Sequence, residues 1–315
     1  MRIIALEEHM LSKDVLASMG PPPASLAGVS EQLDDLGAGR LALMDAAGID
    51  VQVLSAVSWG VQALEPVRSL ELSRQLNQRM AETVVAHPGR FAAFAALPMS
   101  DPSAAAVELH RCVEELGFVG AMIHGQTNGV FLDDPVNEPI LAAAEALEVP
   151  LYLHPAPPPP AVTAAYFSGL EPAVAGALST AAWGWHAECG LHVLRMVANG
   201  VFERFAGLQL LVGHMGEMLP FSLARADERL SPLLPRTRTV ADTLHAHLLV
   251  TTSGYTTTAP LQCALAVFGA DRILFSVDHP FADSAAATAW LTSAPLSPGD
   301  REKIAHGNAE RLLRL

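Results

Sequence analysis

Acidic and imidazole side chains follow the short apolar runs of this 315-residue sequence. Glu7 and His9 lie at the first run, and since they are two residues apart on an extended chain, they project to the same side. Comparable groups at later runs are His124, His154, His214, Glu217, Asp278 and His279. Mixed imidazole and carboxylate ligands suit Zn²⁺, Mn²⁺ or Fe²⁺ and leave room for harder ions. The sequence predicts a divalent metal site if these segments converge.

Eight apolar runs alternate with helical patterns along the whole chain. The runs are continuous, not alternating, which is typical of strands that are buried on both faces. They are Ile3–Leu6, Val51–Ser55, Phe91–Leu97, Val119–His124, Val149–His154, Leu208–Gly213, Leu248–Ser253 and Ile273–Val277. This alternation predicts an α/β fold with one (β/α)8 TIM barrel over residues 1–315, whose strand C-termini share one face. A doubly wound open sheet is the alternative, and it has less support because no GxGxxG follows the first run.

Two stretches, residues 10–40 and 155–187, are predicted to be loop insertions at the C-terminal face of the barrel. Each follows the end of a predicted strand, and the second contains Tyr166, Phe167, Trp183 and Trp185. Its aromatic content favours a pocket wall over an ordinary surface loop. The histidines on helices or loops are expected to be solvated or packing groups: His87, His110, His192, His245, His247 and His306.

Composition excludes several classes of function. The 33 acidic and 19 basic residues give a net charge of −14, and without a cluster of Lys or Arg the chain is a poor candidate for binding nucleic acid or an anionic membrane. Its two lysines, Lys13 and Lys303, leave little room for Schiff-base or P-loop chemistry. Three scattered cysteines argue against disulfides, and the N-terminus does not resemble a signal peptide. We expect a cytoplasmic protein.

Longer motifs resemble a known family over nearly the whole chain. They include ALEEH at 5–9, GRLALMDAAGIDVQVLS at 39–55, LVGHMGEMLPF at 211–221 and ADRILFSVDHPF at 270–281. The chain resembles the second amidohydrolase family, named ACMSD-like after aminocarboxymuconate semialdehyde decarboxylase. Within that family it looks most like the metal-dependent nonoxidative hydroxybenzoate decarboxylases, of the γ-resorcylate and 2,3-dihydroxybenzoate type.

The resemblance implies a set of site residues and a reaction. It implies one divalent metal, Zn²⁺ or Mn²⁺ with Mg²⁺ as a further option, and no organic cofactor. The ligands would be Glu7, His9, His154 and Asp278. His214, backed by Glu217, would handle protons, and Arg225 would meet the carboxylate of a small aromatic substrate. Homodimers and homotetramers are usual in the family.

The implied chemistry is decarboxylation of an ortho-hydroxylated aromatic acid without an electron-sink cofactor. A metal-chelated hydroxyl can push electron density to the ring carbon that bears the carboxylate. Asp278 would protonate that carbon, and CO₂ would leave as the ring rearomatises.

Two departures from the family pattern concern the substrate. His124 stands where the family commonly has asparagine, and we expect it to face the site and contact the substrate. His279 stands where the family often has tyrosine. Two-metal amidohydrolases use a carboxylated lysine at the position of His124. Because this chain has no lysine there, a single metal is favoured.

Other functions stay open from the sequence alone. On the same scaffold, Asp278 could act as general base on a metal-bound water and hydrolyse a lactone or an amide. Hydration of a double bond in an unsaturated acid is a related option. From another class, the chain could be a metal-binding regulator or an inactive relative. A complete set of metal and proton-handling residues argues against lost catalysis.

Overall fold

All eight apolar runs form strands, and every strand pair is parallel. The computed structural model describes residues 1–19, 26, 28–57, 61–235 and 238–315. The strands are β1 (Ile4–Met10), β2 (Val51–Ala56), β3 (Phe91–Ala93), β4 (Ala95–Ala96), β5 (Ala121–His124), β6 (Leu151–His154), β7 (Leu210–Val212), β8 (Leu248–Thr251) and β9 (Ile273–Leu274). Their spatial order follows the chain order, β1 to β3 in one sheet and β4 to β9 in a second. The third apolar run is therefore divided in two at Phe94.

Backbone hydrogen bonds join the two sheets into a ring. At one junction, Phe94 N donates to Leu54 O at 2.9 Å and Ala95 N donates to Gly120 O at 2.8 Å. At the other, Leu6 N donates to Phe275 O at 3.1 Å, so the segment after β9 returns to β1. This arrangement is the distorted (β/α)8 barrel that the sequence predicts.

Helices follow the strands and cover the outside of the ring. Many begin at a proline in the first turn, where the missing N–H has no partner to lose. In the described residues they are α1 (Lys13–Ser18), α2 (Ser30–Asp34), α3 (Ala38–Ala47), α4 (Pro66–Ala86), α5 (Pro102–Glu114), α6 (Glu138–Ala146), α7 (Pro160–Phe167), α8 (Pro172–Ser179), α9 (Gly184–Ala198), α10 (Val201–Arg204), α11 (His214–Glu217), α12 (Leu219–Leu230), α13 (Val240–His247), α14 (Thr258–Phe268), α15 (Ser284–Ser293), α16 (Pro298–Glu302) and α17 (Asn308–Leu313).

Alternate residues of each strand face the inside and the outside of the barrel. On β6, Tyr152 belongs to the interior cluster, whereas Leu151 and Leu153 pack against the helices. His154 lies two residues beyond Tyr152, so the same alternation turns it inward at the C-terminal end. The other interior side chains include Ile4, Leu6, Val53, Phe94, Met122, Leu211, Leu249 and Leu274. The interior is thus a packed core capped by polar groups at one end.

The first strand is not regular at Glu7. Glu7 has φ +60°, and the pairing of β1 with β2 shifts between Ala5 and Glu8. Regular alternation from Ile4 and Leu6 would turn His9 away from the interior. The bulge adds one residue, so that His9 instead pairs with Ser55 of β2. The expectation of an extended chain through Glu7 was wrong, although both side chains do reach the same site.

The two predicted insertions contain short helices. Residues 10–40 contain α1, α2 and the start of α3, and residues 20–25 and 27 of this stretch lie outside the described part. Residues 155–187 contain α7, α8 and the start of α9. The ring of Trp185 lies 6.5 Å from that of His154, which agrees with the predicted pocket wall. Among the described helices, none is both long enough and apolar enough to cross a membrane.

Candidate metal and proton-transfer site

Four side chains from distant parts of the sequence meet at the C-terminal end of the barrel. Glu7, His9, His154 and Asp278 each offer one ligand atom, and these atoms all lie within 4.8 Å of one another. The first three are buried and Asp278 is nearly so. Parallel strands bring these residues together because their C-terminal ends share one rim.

The atoms that face the centre of this cluster fit a cation. His154 Nε2 lies 3.1 Å from Glu7 Oε1, and His9 Nε2 lies 3.3 Å from Asp278 Oδ1. Among the described residues, Glu7 Oε1 and His9 Nε2 have no hydrogen-bond partner. Burying two carboxylates beside two imidazole nitrogens raises the free energy of the folded state unless a positive charge lies between them. The donor set can therefore hold one divalent metal ion.

The opposite nitrogen of each liganding imidazole is also held. His9 Nδ1 lies 3.1 Å from Ser55 Oγ, and His154 Nδ1 lies 2.7 Å from the carbonyl oxygen of Pro155. Such contacts set the tautomer and the ring plane of a metal ligand. Both rings consequently present Nε2 to the centre.

Two hydroxyl groups inside the barrel hold the carboxylate of Glu7 in place. The hydroxyls of Tyr152 and Ser253 donate to Glu7 Oε2, and Tyr152 also lies 2.6 Å from Thr251 Oγ1. Burial, followed by the charge of Glu7, raises the pKa of Tyr152 well above its usual value, so the phenol stays a donor. Sequence analysis missed these residues. Their signal was the two-residue spacing from Tyr152 to His154 and from Thr251 to Ser253.

His214 and Glu217 lie on a tight turn directly after β7. His214, Met215, Glu217 and Met218 all have positive φ. His214 Nδ1 lies 2.6 Å from Glu217 Oε1, while His214 Nε2 points to the metal ligands, 3.8 Å from Glu7 Oε1 and 3.7 Å from Asp278 Oδ2. The sequence expectation that His214 is backed by Glu217 agrees with this geometry.

His186 is a site residue that sequence analysis did not name. Its Nδ1 lies 2.7 Å from Glu217 Oε2, and its ring contacts the ring of His214 at a centroid distance of 4.8 Å. It lies at the start of α9, at the end of the predicted 155–187 insertion. No strand end marks it in the sequence, because the loop brings it to the site.

Opposing effects set the charges of this site. Burial pushes the pKa of Glu7 upward, but His214 and His154 hold it below its usual value. Burial likewise raises the pKa of Asp278, yet the adjacent imidazoles of His214 and His9 hold it well below its usual range. Burial lowers the pKa of His214, whereas Glu217 and Glu7 raise it well above the usual value. Burial also opposes ionisation of Glu217, but His214 and His186 lower its pKa to about 2. With these groups alone, the carboxylates are ionised and His214 carries a proton.

His124 lies beside the ligands at the end of β5. Its ring lies 5.0 Å from the ring of His154, and Gln62 holds its backbone through two hydrogen bonds of 2.8 Å. Burial, with His154 and His9 next, lowers the pKa of His124 well below the usual value. It lines a cavity of about 300 Å³ together with Gln62, Gln126, Asn128, Pro157 and Pro159, among others.

Arg225 is not brought to the cluster within the single chain. It lies on the exposed face of α12, whose buried residues are Leu219, Pro220 and Leu223. Its side chain is 65% exposed and pairs with Glu228 at 2.8 Å. The helical spacing from Leu223 turns Arg225 to solvent, so its predicted contact with a substrate carboxylate stays a prediction.

Two further ionisable side chains, Glu8 and Arg40, are buried behind the ligands. Glu8 accepts from Val277 N at 2.9 Å, and burial raises its pKa to about 8. Arg40 donates to the carbonyl oxygen of His9, and burial lowers its pKa to about 10. His279 borders Arg40 on a cavity of about 670 Å³. Glu8 and Arg40 thus each bond a backbone group next to a ligand, Glu8 before Asp278 and Arg40 at His9, and sequence analysis missed both.

Comparison with known proteins agrees with this architecture. The profile of the Amidohydrolase family matches residues 23–315. The chain belongs to this family. It is 40% identical over 328 residues to the decarboxylase orsB of Emericella nidulans, covering 99% of this chain and 97% of the relative. It is 38% identical over 326 residues to a gamma-resorcylate decarboxylase of Polaromonas sp., covering 99% and 98%.

A solved structure extends the likeness to three dimensions. It is a dihydroxybenzoic acid decarboxylase of Polaromonas sp. with bound manganese and the inhibitor 2-nitroresorcinol. The TM-score is 0.92 at 37% identity, and the match covers 100% of this chain and 97% of the other. The barrel prediction and the family resemblance are both confirmed.

Proposed function

We propose that this chain is a divalent-metal-dependent carboxy-lyase, which removes CO₂ nonoxidatively from an ortho-hydroxylated aromatic carboxylic acid. The observation that carries the proposal is the full-length similarity to decarboxylases at up to 40% identity. The ligand geometry alone would serve a metal-dependent hydrolase equally well. The similarity in sequence and structure favours decarboxylation.

A substrate panel tests this proposal directly. Protein loaded with Mn²⁺ or Zn²⁺ would be incubated with ortho-hydroxybenzoates and, in parallel, with lactones. We expect CO₂ from one or more hydroxybenzoates, carboxylation of the matching phenol in bicarbonate, and no reaction with lactones. Acid release from lactones without any CO₂ release would favour the hydrolase instead.

Glu7, His9, His154 and Asp278 would hold the metal ion. When bound, a divalent cation would supply Lewis-acid chemistry that lowers the pKa of a phenolic hydroxyl and polarises an adjacent carboxylate. The nitrogen and oxygen donors suit Mn²⁺ and Zn²⁺, and the manganese in the Polaromonas structure supports the former. Tyr152 and Ser253 keep Glu7 in place for this role.

Asp278 and His214 would move the proton that the reaction needs. The ring carbon that bears the carboxylate gains a proton, the electron pair of the breaking carbon–carbon bond returns to the ring, and CO₂ leaves. Asp278 on its own is ionised, since its pKa lies well below the usual range. His214 Nε2 lies 3.7 Å from Asp278 Oδ2, so His214 would supply a proton to Asp278, which would deliver it to the ring.

The Asp278→Asn variant separates proton delivery from metal binding. An amide oxygen can still coordinate, but the amide cannot carry the proton. We expect kcat to fall by roughly 10²–10⁴-fold while some bound metal is retained. A near-normal rate in this variant would rule out Asp278 as the proton donor.

The cavity beside His124 would receive the ring substituents of the substrate. Its lining mixes polar and apolar side chains, with Gln62, His124, Gln126 and Asn128 beside Pro157 and Pro159. Such a mixture can discriminate between ring substituents. We expect His124→Asn to change the ranking of kcat/KM among hydroxybenzoates that differ in ring substitution. An unchanged ranking would remove His124 from substrate recognition.

Arg225 would contact the substrate carboxylate in a homodimer or homotetramer. Phe221 is 89% exposed on the same face of α12, four residues before Arg225. The apolar hairpin of α7 and α8 also exposes Tyr166, Leu170 and Val174. Large exposed apolar side chains are enriched at subunit interfaces, and a second copy of this chain would cover them.

Light scattering and kinetics test the two parts of this assembly proposal. We expect Phe221→Glu to shift the protein toward monomer, and Arg225→Ala to raise KM for the aromatic acid. A monomeric wild type, or an unchanged KM, would contradict the respective part.

We also propose one domain over residues 1–315 and a cytoplasmic location. Contact of the first strand with the segment after the last strand, through Leu6 and Phe275, supports a single folding unit. Cys112 and Cys189 are buried and unpaired, as is usual in a reducing compartment. Cell fractionation would test the location.

A further inference from the structure

His186, Glu217 and His214 form a continuous hydrogen-bonded chain that leads to the proposed reaction centre. Glu217 places Oε1 at 2.6 Å from His214 Nδ1 and Oε2 at 2.7 Å from His186 Nδ1. On its far side, His186 Nε2 lies 2.9 Å from the carbonyl oxygen of Ala181. All three ionisable side chains are buried. These distances are those of hydrogen bonds, and they leave each carboxylate oxygen of Glu217 with its own nitrogen partner.

The two contacts of His186 limit where hydrogens can lie. A carbonyl oxygen only accepts, so His186 Nε2 must carry a hydrogen to bond Ala181. A neutral imidazole would then have a bare lone pair at Nδ1, which cannot bond the carboxylate of Glu217. A second proton is therefore needed between His186 and Glu217. Whether it lies on His186 Nδ1 or on Glu217 Oε2, that proton joins the two side chains and holds the carboxyl group of Glu217 in place.

The packing of α9 holds this pair in place. A Cβ at Gly190 would lie 2.7 Å from the backbone carbonyl oxygen of Glu217, so only glycine lets the helix approach the turn that closely. His186 lies one helical turn before Gly190, on the same face of α9. The rings of His186 and His214 also both pack edge-on against Tyr255.

We infer that His186 is a positioning residue of the proposed decarboxylase, which acts through Glu217 to fix the ring of His214. With both oxygens engaged, the carboxylate of Glu217 cannot rotate, and Oε1 keeps a proton on His214 Nδ1. The remaining nitrogen of His214 is then aimed at Asp278. This inference rests on the proposed function.

Three variants on α9 test this role. Leucine at position 186 removes both donors, whereas asparagine can place an amide nitrogen where Nδ1 of the imidazole lies. We expect His186→Leu to lower kcat by about 10–100-fold, with KM and bound metal nearly unchanged. His186→Asn should recover most of that loss. His192→Leu is the matched control, because it removes another buried histidine of the same helix, one that accepts from Leu132 N at 2.8 Å.

The control should lower the melting temperature but leave kcat within about twofold of wild type. A kcat of His186→Leu within the same twofold range would overturn the inference, as would an equal loss in the asparagine and leucine variants. If the leucine variant fails to fold, the asparagine variant and the next measurement still decide.

Nitrogen NMR tests the proton count without turnover. In zinc-loaded protein with ¹⁵N-labelled histidine, the signals lost in His186→Asn should show a hydrogen on Nε2 and a hydrogen-bonded Nδ1. An Nε2 without a hydrogen would overturn the proton count. If wild type releases no CO₂ from any hydroxybenzoate, the proposed function fails, while the NMR result still decides the arrangement of His186 and Glu217.

Discussion

The hydroxyl of Tyr152 donates to Glu7 Oε2, the oxygen opposite the one that faces the other three ligands. Tyr152 lies in the barrel interior and Glu7 at the bulge of β1, 145 residues away in sequence. The contact leaves Glu7 Oε1 free for a metal ion and fixes the direction from which it is offered. A packed core residue thus determines the geometry of the proposed site.

Tyr152→Phe is expected to weaken metal binding. The ring still fills the interior beside Phe94, but Glu7 Oε2 keeps only the hydroxyl of Ser253. Loss of such a supporting contact costs about 10–100-fold in metal affinity. Titration of metal-free protein with Mn²⁺, followed calorimetrically, would measure the change.

The exposed Tyr166→Phe provides the control for the tyrosine substitution, since its affinity should equal that of wild type. If Tyr152→Phe bound Mn²⁺ as tightly as this control, Tyr152 would have no part in holding Glu7.

Gly213→Ala should displace the first ligand by steric contact alone. Gly213 has φ −76°, which alanine adopts readily, so the backbone is not strained. An added Cβ would lie 2.8 Å from Glu7 Oε2 and 3.2 Å from the hydroxyl of Tyr152. We expect metal affinity to fall by about tenfold or more.

Gly299→Ala is the matched control, because a Cβ there meets nothing within 4 Å. Metal content after dialysis against limiting Mn²⁺ would compare the two variants. Equal metal content in the two variants would show that the close approach to Glu7 does not require glycine at position 213.

Removal of the metal should lower the melting temperature. Without a cation, the buried carboxylates of Glu7 and Asp278 face each other with only imidazoles between them. A ligand present at 100 times its Kd stabilises the folded state by about 2.7 kcal/mol, so a decrease of roughly 4 °C is expected on chelation. Calorimetry before and after EDTA treatment, and after return of Mn²⁺, would measure it.

In the same assay, the melting temperature of Glu7→Gln should change much less on addition of EDTA or Mn²⁺. A melting temperature that chelation leaves unchanged, in protein shown to be metal-free, would contradict a buried metal site.

The position of the proposed metal ligands at one end of the barrel could be predicted from sequence because it follows from two simple rules. Continuous apolar runs locate buried parallel strands, and parallel strands in a barrel end on one face. His154 and Asp278 therefore had to lie near each other wherever the intervening helices packed. Alternation along β6 also places Tyr152 inside, although its bond to Glu7 needs coordinates.

Other parts of the site depend on local geometry that no periodicity shows. The bulge at Glu7 shifts the register by one residue, and without it His9 would face the helices. His186 reaches the site through a loop whose path depends on the packing of α9 against Glu217. The motif resemblance identified Arg225 but did not predict that its side chain is exposed, because exposure depends on the rotation of α12.

Glu188 should make the stability of this protein depend on pH. It is only 8% exposed on α9, and burial raises its pKa from 4.5 to about 7. Because the folded-state pKa is the higher one, the contribution of Glu188 to stability is fully present below pH 4.5 and is lost as the pH rises through about 7. Glu188→Gln keeps the size of the side chain and removes the titration. We expect its free energy of unfolding, relative to wild type, to rise by about 2 kcal/mol between pH 5 and pH 8.

Urea unfolding of both proteins at several pH values would measure this difference, and subtraction at each pH removes contributions that the two proteins share, such as metal binding. The exposed Glu302→Gln is the control and should give a difference that is flat with pH. A flat difference for Glu188→Gln as well would mean that Glu188 ionises equally easily in the folded and unfolded chain. Because Glu188 Oε1 is buried without a hydrogen-bond partner among the described residues, ionisation of this carboxyl is costly in the folded state, and we expect the slope.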